Sequence, residues 1–70
     1  RECVVNFDYA QNIIVIRTLP GLASAAGSAI DAMNMSSIVG TLAGDDTVMI
    51  VMRDMNAAAL FCSEIKSLLN

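Results

Sequence analysis

The stretch GTLAGDDTV, residues 40–48, sets two carboxylates, Asp45 and Asp46, side by side after a glycine and between two apolar runs. Only 16% of the chain is charged, so adjacent like charges at a turn need a reason. Paired carboxylates can share a proton, hold a metal or receive an organic cation. Neighbouring strand or turn residues point in different directions, which argues against a proton-sharing dyad. A cation held from two sides, or from two subunits, suits the arrangement better, because a carboxylate takes a guanidinium in a bidentate, charge-assisted pair. The plain alternative is a solvated hairpin tip.

Asp31 is the second acid of interest, since it sits in a helical pattern that is otherwise apolar or small. Ser24 lies seven residues earlier, about two helical turns, so Ser24 and Asp31 share a stripe with Ser28 beside it. From pattern alone that stripe reads first as plain solvent-facing surface. Catalysis finds little support: the chain has no His, no Ser or Cys paired with a base, no phosphate-binding glycine loop and no dinucleotide fingerprint. No calcium loop is present, and Cys3 and Cys62 are too far apart in sequence for a zinc knuckle. Both cysteines read as core thiols of a reducing compartment, with a disulfide joining the chain ends as the alternative. The five Met residues suit adaptable core or interface filling better than a cofactor site. The sequence therefore predicts no enzyme, no metal site and no cofactor.

The elements that must position these acids follow from periodicity. CVVNFDY, residues 3–9, alternates Cys3, Val5, Phe7 and Tyr9 against Val4, Asn6 and Asp8, the pattern of a half-buried strand. After a short turn at AQN, Ile13 to Thr18 form a β-branched run that is apolar on both faces. Pro20 stops this strand and suits a helix start. Leu22, Ala26, Ile30 and Met33 then fall at helical spacing and are expected to face the sheet. The small residues Ala23, Ala25, Gly27 and Ala29 permit a close neighbour, although Gly27 costs about 1 kcal/mol relative to Ala. Ile38 to Ala43 and Thr47 to Arg53 make two more strands around the GDD turn. Asp54 caps a final helix whose buried stripe is Ala58, Phe61, Cys62, Ile65 and Leu68 or Leu69. The order β-β-α-β-β-α predicts an α+β fold: a four-stranded antiparallel sheet with two helices on one face.

Seventy residues make one domain with a small core, yet 56% of them are hydrophobic and the mean hydropathy is +0.62. No apolar run approaches the roughly 18 residues of a membrane span, and Arg1-Glu2 leads straight into strand pattern rather than a signal sequence. Two helices can cover only one sheet face, while both faces are apolar in at least two strands. The surplus is expected to be buried between copies of the chain. A net charge of −3 with four scattered basic residues argues against nucleic-acid binding by this piece alone.

The segments TLPG (18–21), AID (29–31) and IVGTLAGDDTVMIVMR (38–53) resemble the carboxy-terminal domain of the bacterial arginine repressor, with GTLAGDDT the most specific part. The resemblance covers nearly the whole chain in the same element order. It implies that residues 1–70 are the arginine-binding and oligomerisation domain of a cytoplasmic transcription regulator, with the amino-terminal winged-helix DNA-binding domain absent. It further implies trimers that stack into a hexamer, with L-arginine as co-repressor between the trimers and operator DNA contacted only through the missing domain. Carried over by position, Asp45 and Asp46 line the arginine site and at least one reaches an arginine on the facing trimer. Asp31 takes the ligand α-amino group, and Thr41 and Ala43 supply side-chain or backbone polar contacts. Ser24 stands where the family usually has a longer Gln, His or Asn, so it needs a bridging water to reach the ligand. Two other readings stay open at this point: an oligomerisation module with no ligand, and a small carboxylate-dependent enzyme or metal binder.

Overall fold

A computed structural model describes residues 3–69. The elements are β1 (Val4–Ala10), β2 (Ile13–Thr18), α1 (Ala23–Ala32), β3 (Ile38–Ala43), β4 (Thr47–Met52) and α2 (Met55–Leu69). All neighbouring strands are antiparallel, in the order β1-β2-β4-β3, so β1 and β3 form the sheet edges. The α+β architecture and the element order are those the sequence predicts.

Each boundary has a local cause. The β1–β2 hairpin turns at Gln11, which adopts a left-handed φ of 53°, and Asn12 ties the turn to β4 by exchanging bonds with the Met52 backbone. At the end of β2, Leu19-Pro20-Gly21-Leu22 closes a β-turn with the Leu22 amide on the Leu19 carbonyl, and Gly21 has φ 80°. Pro followed by a positive-φ Gly is the signature of a type II turn. Helix α1 ends as Asn34 takes φ 52°, a conformation that Asn tolerates better than most residues. Asp54 caps α2 as expected, its carboxylate accepting from the Ala57 amide at 2.8 Å.

Both helices pack on one sheet face, α1 over β3 and β4 and α2 over β1 and β2. The core between them holds Ile14, Ile16, Val48, Ile50 and Met52 from the sheet, with Ala23, Ala58 and Phe61 from the helices. Three details differ from the sequence expectation. The alternation in β1 breaks at a bulge between Val4 and Asn6, so Val4 and Phe7 both pack on the core while Val5 is exposed. An extra residue on one strand changes which side later residues take. Helix α1 buries Ala23 and Gly27 instead of the larger Leu22 and Met33, which are exposed, while Ala26 and Ile30 pack at the margin of the core. The helix starts at Ala23 and lies close to the sheet, so its smallest face is the one that fits. Cys62 is buried and Cys3 half-buried, and both are free thiols, so no disulfide joins them. The α2 stripe holds at Ala58, Phe61, Cys62 and Ile65, whereas Leu68 and Leu69 lie outside the described side chains.

The second sheet face carries Ile13 opposite Val51, Val15 opposite Met49, and Met49 opposite Leu42. Neither described helix covers it, and Leu42 is 72% exposed. The two-faced apolar pattern of the strands thus leaves a hydrophobic sheet surface on the single chain.

Candidate functional site

The two aspartates occupy the tip of the β3–β4 hairpin, where the Gly44 amide donates to the Thr47 carbonyl at 2.8 Å. Both are exposed. Their backbones nevertheless bond to a different part of the chain. The Asp45 carbonyl accepts from the amides of Gly21 at 3.1 Å and Ala23 at 3.2 Å, and the Asp46 carbonyl accepts from the Thr18 amide at 2.7 Å. Helix α1 has Leu22 at its N-cap with no side-chain cap, so the Asp45 carbonyl serves the first helical amide in its place. The Thr47 hydroxyl donates to the Asp46 carboxylate at 2.9 Å.

From this junction α1 runs antiparallel to β3 in a fixed register. Ala23 meets Asp45, a Cβ on Gly27 would stand 3.5 Å from the Ala43 Cβ, and the Thr41 hydroxyl donates to Asp31 Oδ1 at 2.8 Å. Four helical residues rise about 6 Å and two strand residues about 6.6 Å, so steps of four on α1 match steps of two on β3. The small residues of α1 make this seam possible, because side chains larger than Ala at 23 and 27 would lift the helix from the strand. Ser24, exposed on α1, follows the Ala23 contact directly.

The inward Gly44 amide also fixes which β3 groups face the open edge. Bonded and non-bonded positions alternate in an antiparallel ladder, so Leu42 and Gly40 pair toward Met49 and Val51, and the Thr41 and Ala43 backbones face away from β4. Of the six residues singled out in the sequence, Asp31, Thr41, Ala43, Asp45 and Asp46 fall along this seam at the sheet edge, and Ser24 is exposed beside its start. Asp31 and Thr41 touch, and Ala43 meets the seam through Gly27. The backbones of Asp45 and Asp46 are tied to its end by their carbonyls, and both side chains are exposed there.

The electrostatics of the seam favour a cation. Asp31 lies in the last turn of α1, which contains no basic residue, and a negative charge there opposes the helix dipole by roughly 0.3–1 kcal/mol. The seam is an open edge rather than a closed cavity. Two hollows, about 450 Å³ at the β1–β2 hairpin from Asp8 to Val15 and about 390 Å³ between Met33, Met35 and Phe61, include none of the six candidate residues. No group of three or more His, Cys, Asp or Glu among the described residues is arranged to hold a metal. No described helix is long and apolar enough to cross a membrane. Elsewhere, burial pushes the Cys62 thiol above its usual pKa, the Asp8 charge adds to this, and Lys66 opposes it.

Sequence reasoning missed the junction of Thr18, Gly21 and Ala23 with the aspartate backbones. Its only signal was the co-occurrence of TLPG and GDD, since a carbonyl acceptor carries no residue signature.

Fold and seam define a small α+β domain in which an acid-bearing helix is locked beside an open sheet edge. Residues 1–67 match the family described as the arginine repressor, C-terminal domain, and the chain belongs to that family. A protein named arginine repressor from Acetivibrio thermocellus is 55% identical over 64 residues, covering 91% of this chain and 42% of that protein. One of the same name from Lachnospira eligens is 48% identical over 69 residues, covering 99% of this chain and 46% of that protein. Another from Alkaliphilus oremlandii is 59% identical over 54 residues, 77% of this chain and 36% of its own length. The chain thus spans less than half the length of these curated relatives.

Proposed function

We propose that this chain is the effector-binding and hexamerisation domain of a cytoplasmic, arginine-responsive transcription regulator of arginine metabolism, and not an enzyme. L-arginine is its co-repressor ligand, bound where two trimers face each other, and no metal or other cofactor takes part. The observation that carries this reading is the α1–β3 seam, which lines up acids from a helix and a hairpin along an open edge in a chain of the arginine repressor family.

The chemistry of each position suits one part of the ligand. Asp45 and Asp46 take the guanidinium, for which carboxylates are the matching acceptors. Asp31, pre-oriented by the Thr41 hydroxyl, takes the α-amino group and gains a cation where the helix end lacks one. The edge-facing backbones of Thr41 and Ala43 complete the polar contacts, and Ser24 reaches the ligand through water. The uncovered sheet face packs subunits within a trimer. Between trimers, each ligand places positive charge among carboxylates of facing subunits and so lowers the repulsion that opposes stacking. Ligand shifts assembly only to the extent that it prefers the hexamer. The stacked form then promotes operator binding by a winged-helix domain outside this chain.

Calorimetric titration with L-arginine tests the reading. Asp45→Asn and Asp46→Asn should each weaken binding severely and leave trimers intact. Unchanged affinity in both variants would sink the assignment. The second reading, a ligand-independent assembly module, draws on the same uncovered sheet face and requires that arginine alter nothing.

A further inference from the structure

Three backbone hydrogen bonds join the β2–α1 turn to the aspartate hairpin, and none involves a side chain of the aspartates. They span more than twenty residues of sequence, from Thr18 to Asp46 and from Gly21 and Ala23 to Asp45. Gly21 reaches this arrangement only through its φ of 80°, a region that L side chains rarely adopt. A Cβ on Gly21 would meet nothing within 4 Å, so the glycine serves backbone direction and not space. If the hairpin moved, the first amide of α1 would lose its partner, because the N-cap residue Leu22 supplies no side-chain cap. The start of α1 and the position of the two aspartates are therefore one mechanical unit.

We propose that the Leu19–Leu22 turn is the positioning element of the arginine site, with Gly21 as its positioning residue. Through Gly21 on the Asp45 carbonyl, with the flanking Ala23 amide on the same carbonyl and the Thr18 amide on that of Asp46, it sets where the two aspartates stand relative to Ser24 and Asp31 on α1. A ligand that engages the helix and the hairpin at once then meets a preset spacing, and the ordering of the hairpin is complete before binding. This inference rests on the arginine-site reading above and adds to it the turn that holds the site in register.

The test compares Gly21→Ala, Gly21→Asn and Ala58→Gly with the unchanged chain, measuring L-arginine affinity by calorimetry and ligand-free melting by circular dichroism. Asn tolerates left-handed backbone, so Gly21→Asn should stay within about threefold of the unchanged affinity, whereas Gly21→Ala should lose about tenfold or more. Ala58→Gly lowers the melting temperature from the α2 side of the core and should leave affinity unchanged. Equal affinity losses in Gly21→Ala and Ala58→Gly at matched loss of melting temperature would overturn the positioning role. Hydrogen exchange on the unchanged chain serves if Gly21→Ala does not fold. L-arginine should slow the Thr18, Gly21 and Ala23 amides more than the other amides of β2 and α1, and uniform slowing would overturn the proposal. No arginine binding by the unchanged chain would overturn the site reading itself, and this inference with it.

Discussion

Replacing Asp31 with Asn should stabilise the ligand-free domain and cripple its binding at the same time. The carboxylate sits in the last turn of α1, where the dipole disfavours negative charge and no basic residue compensates. Removing that charge returns roughly 0.3–1 kcal/mol. Asn and Asp have similar helix propensity, and the Asn side-chain carbonyl still accepts the Thr41 hydroxyl, which now reaches Asp31 Oδ1 at 2.8 Å. One kcal/mol moves the melting temperature of a domain this size by roughly 4–8 °C, so the expected rise is about 1–8 °C. Binding should move the other way. A hydrogen bond to a charged group is worth about 1.5–3 kcal/mol, and a neutral amide in its place should lower arginine affinity by roughly 10- to 150-fold. The assay is paired: thermal melts without ligand at one fixed protomer concentration, then calorimetric titration with L-arginine. A lower ligand-free melting temperature together with unchanged affinity would refute the reasoning, because Asp31 would then be a structural acid and not a ligand group.

Other expectations follow from the same packing. Gly27→Ala should stabilise the domain by about 1 kcal/mol of helix propensity, because the new methyl would meet the Ala43 Cβ at an ordinary 3.5 Å; a lower melting temperature would show a tighter seam than this geometry allows. Met49→Glu places a charge at the centre of the uncovered sheet face and should yield monomers by sedimentation, while an unchanged oligomer would show that this face is not the subunit interface. The buried Cys62 thiol, raised above its usual value of 9.0, contributes stability that is fully present below that pH and is lost as pH rises through the raised value. Denaturant melts from pH 7 to 10.5 should therefore show a loss at the alkaline end that is smaller in Cys62→Ala, and identical curves would refute it.

Much of this fold was legible because its strands and breakers are strong local signals. Ile13 to Thr18, Pro20-Gly21 and the GDD hairpin each dictate their own conformation, and Asp54 caps α2 as its position suggests. The bulges were not legible. Period-two reading assumes no extra residue, so it misassigned Val5 in β1 and gave no sign of the register shift between Ile38 and Gly40 in β3. The buried face of α1 was misjudged for a related reason: residue size drew the expectation to Leu22 and Met33, whereas shape favoured Ala23 and Gly27. Asp31, Thr41, Ala43, Asp45 and Asp46 were each nameable as candidate ligand groups from the motif resemblance. Their alignment was not, because it depends on how many strand residues match each helical turn. The role of Gly21 was hidden further, since it acts through carbonyls that every residue possesses.

Whether arginine drives assembly is decided by sedimentation of this chain at micromolar concentration, with and without millimolar L-arginine and with L-lysine and D-arginine as controls. L-arginine alone should shift trimers to hexamers, or alone protect a hexamer from dissociating on dilution. An oligomer of any size that is indifferent to L-arginine would contradict it, and the GDD turn would then be only a turn.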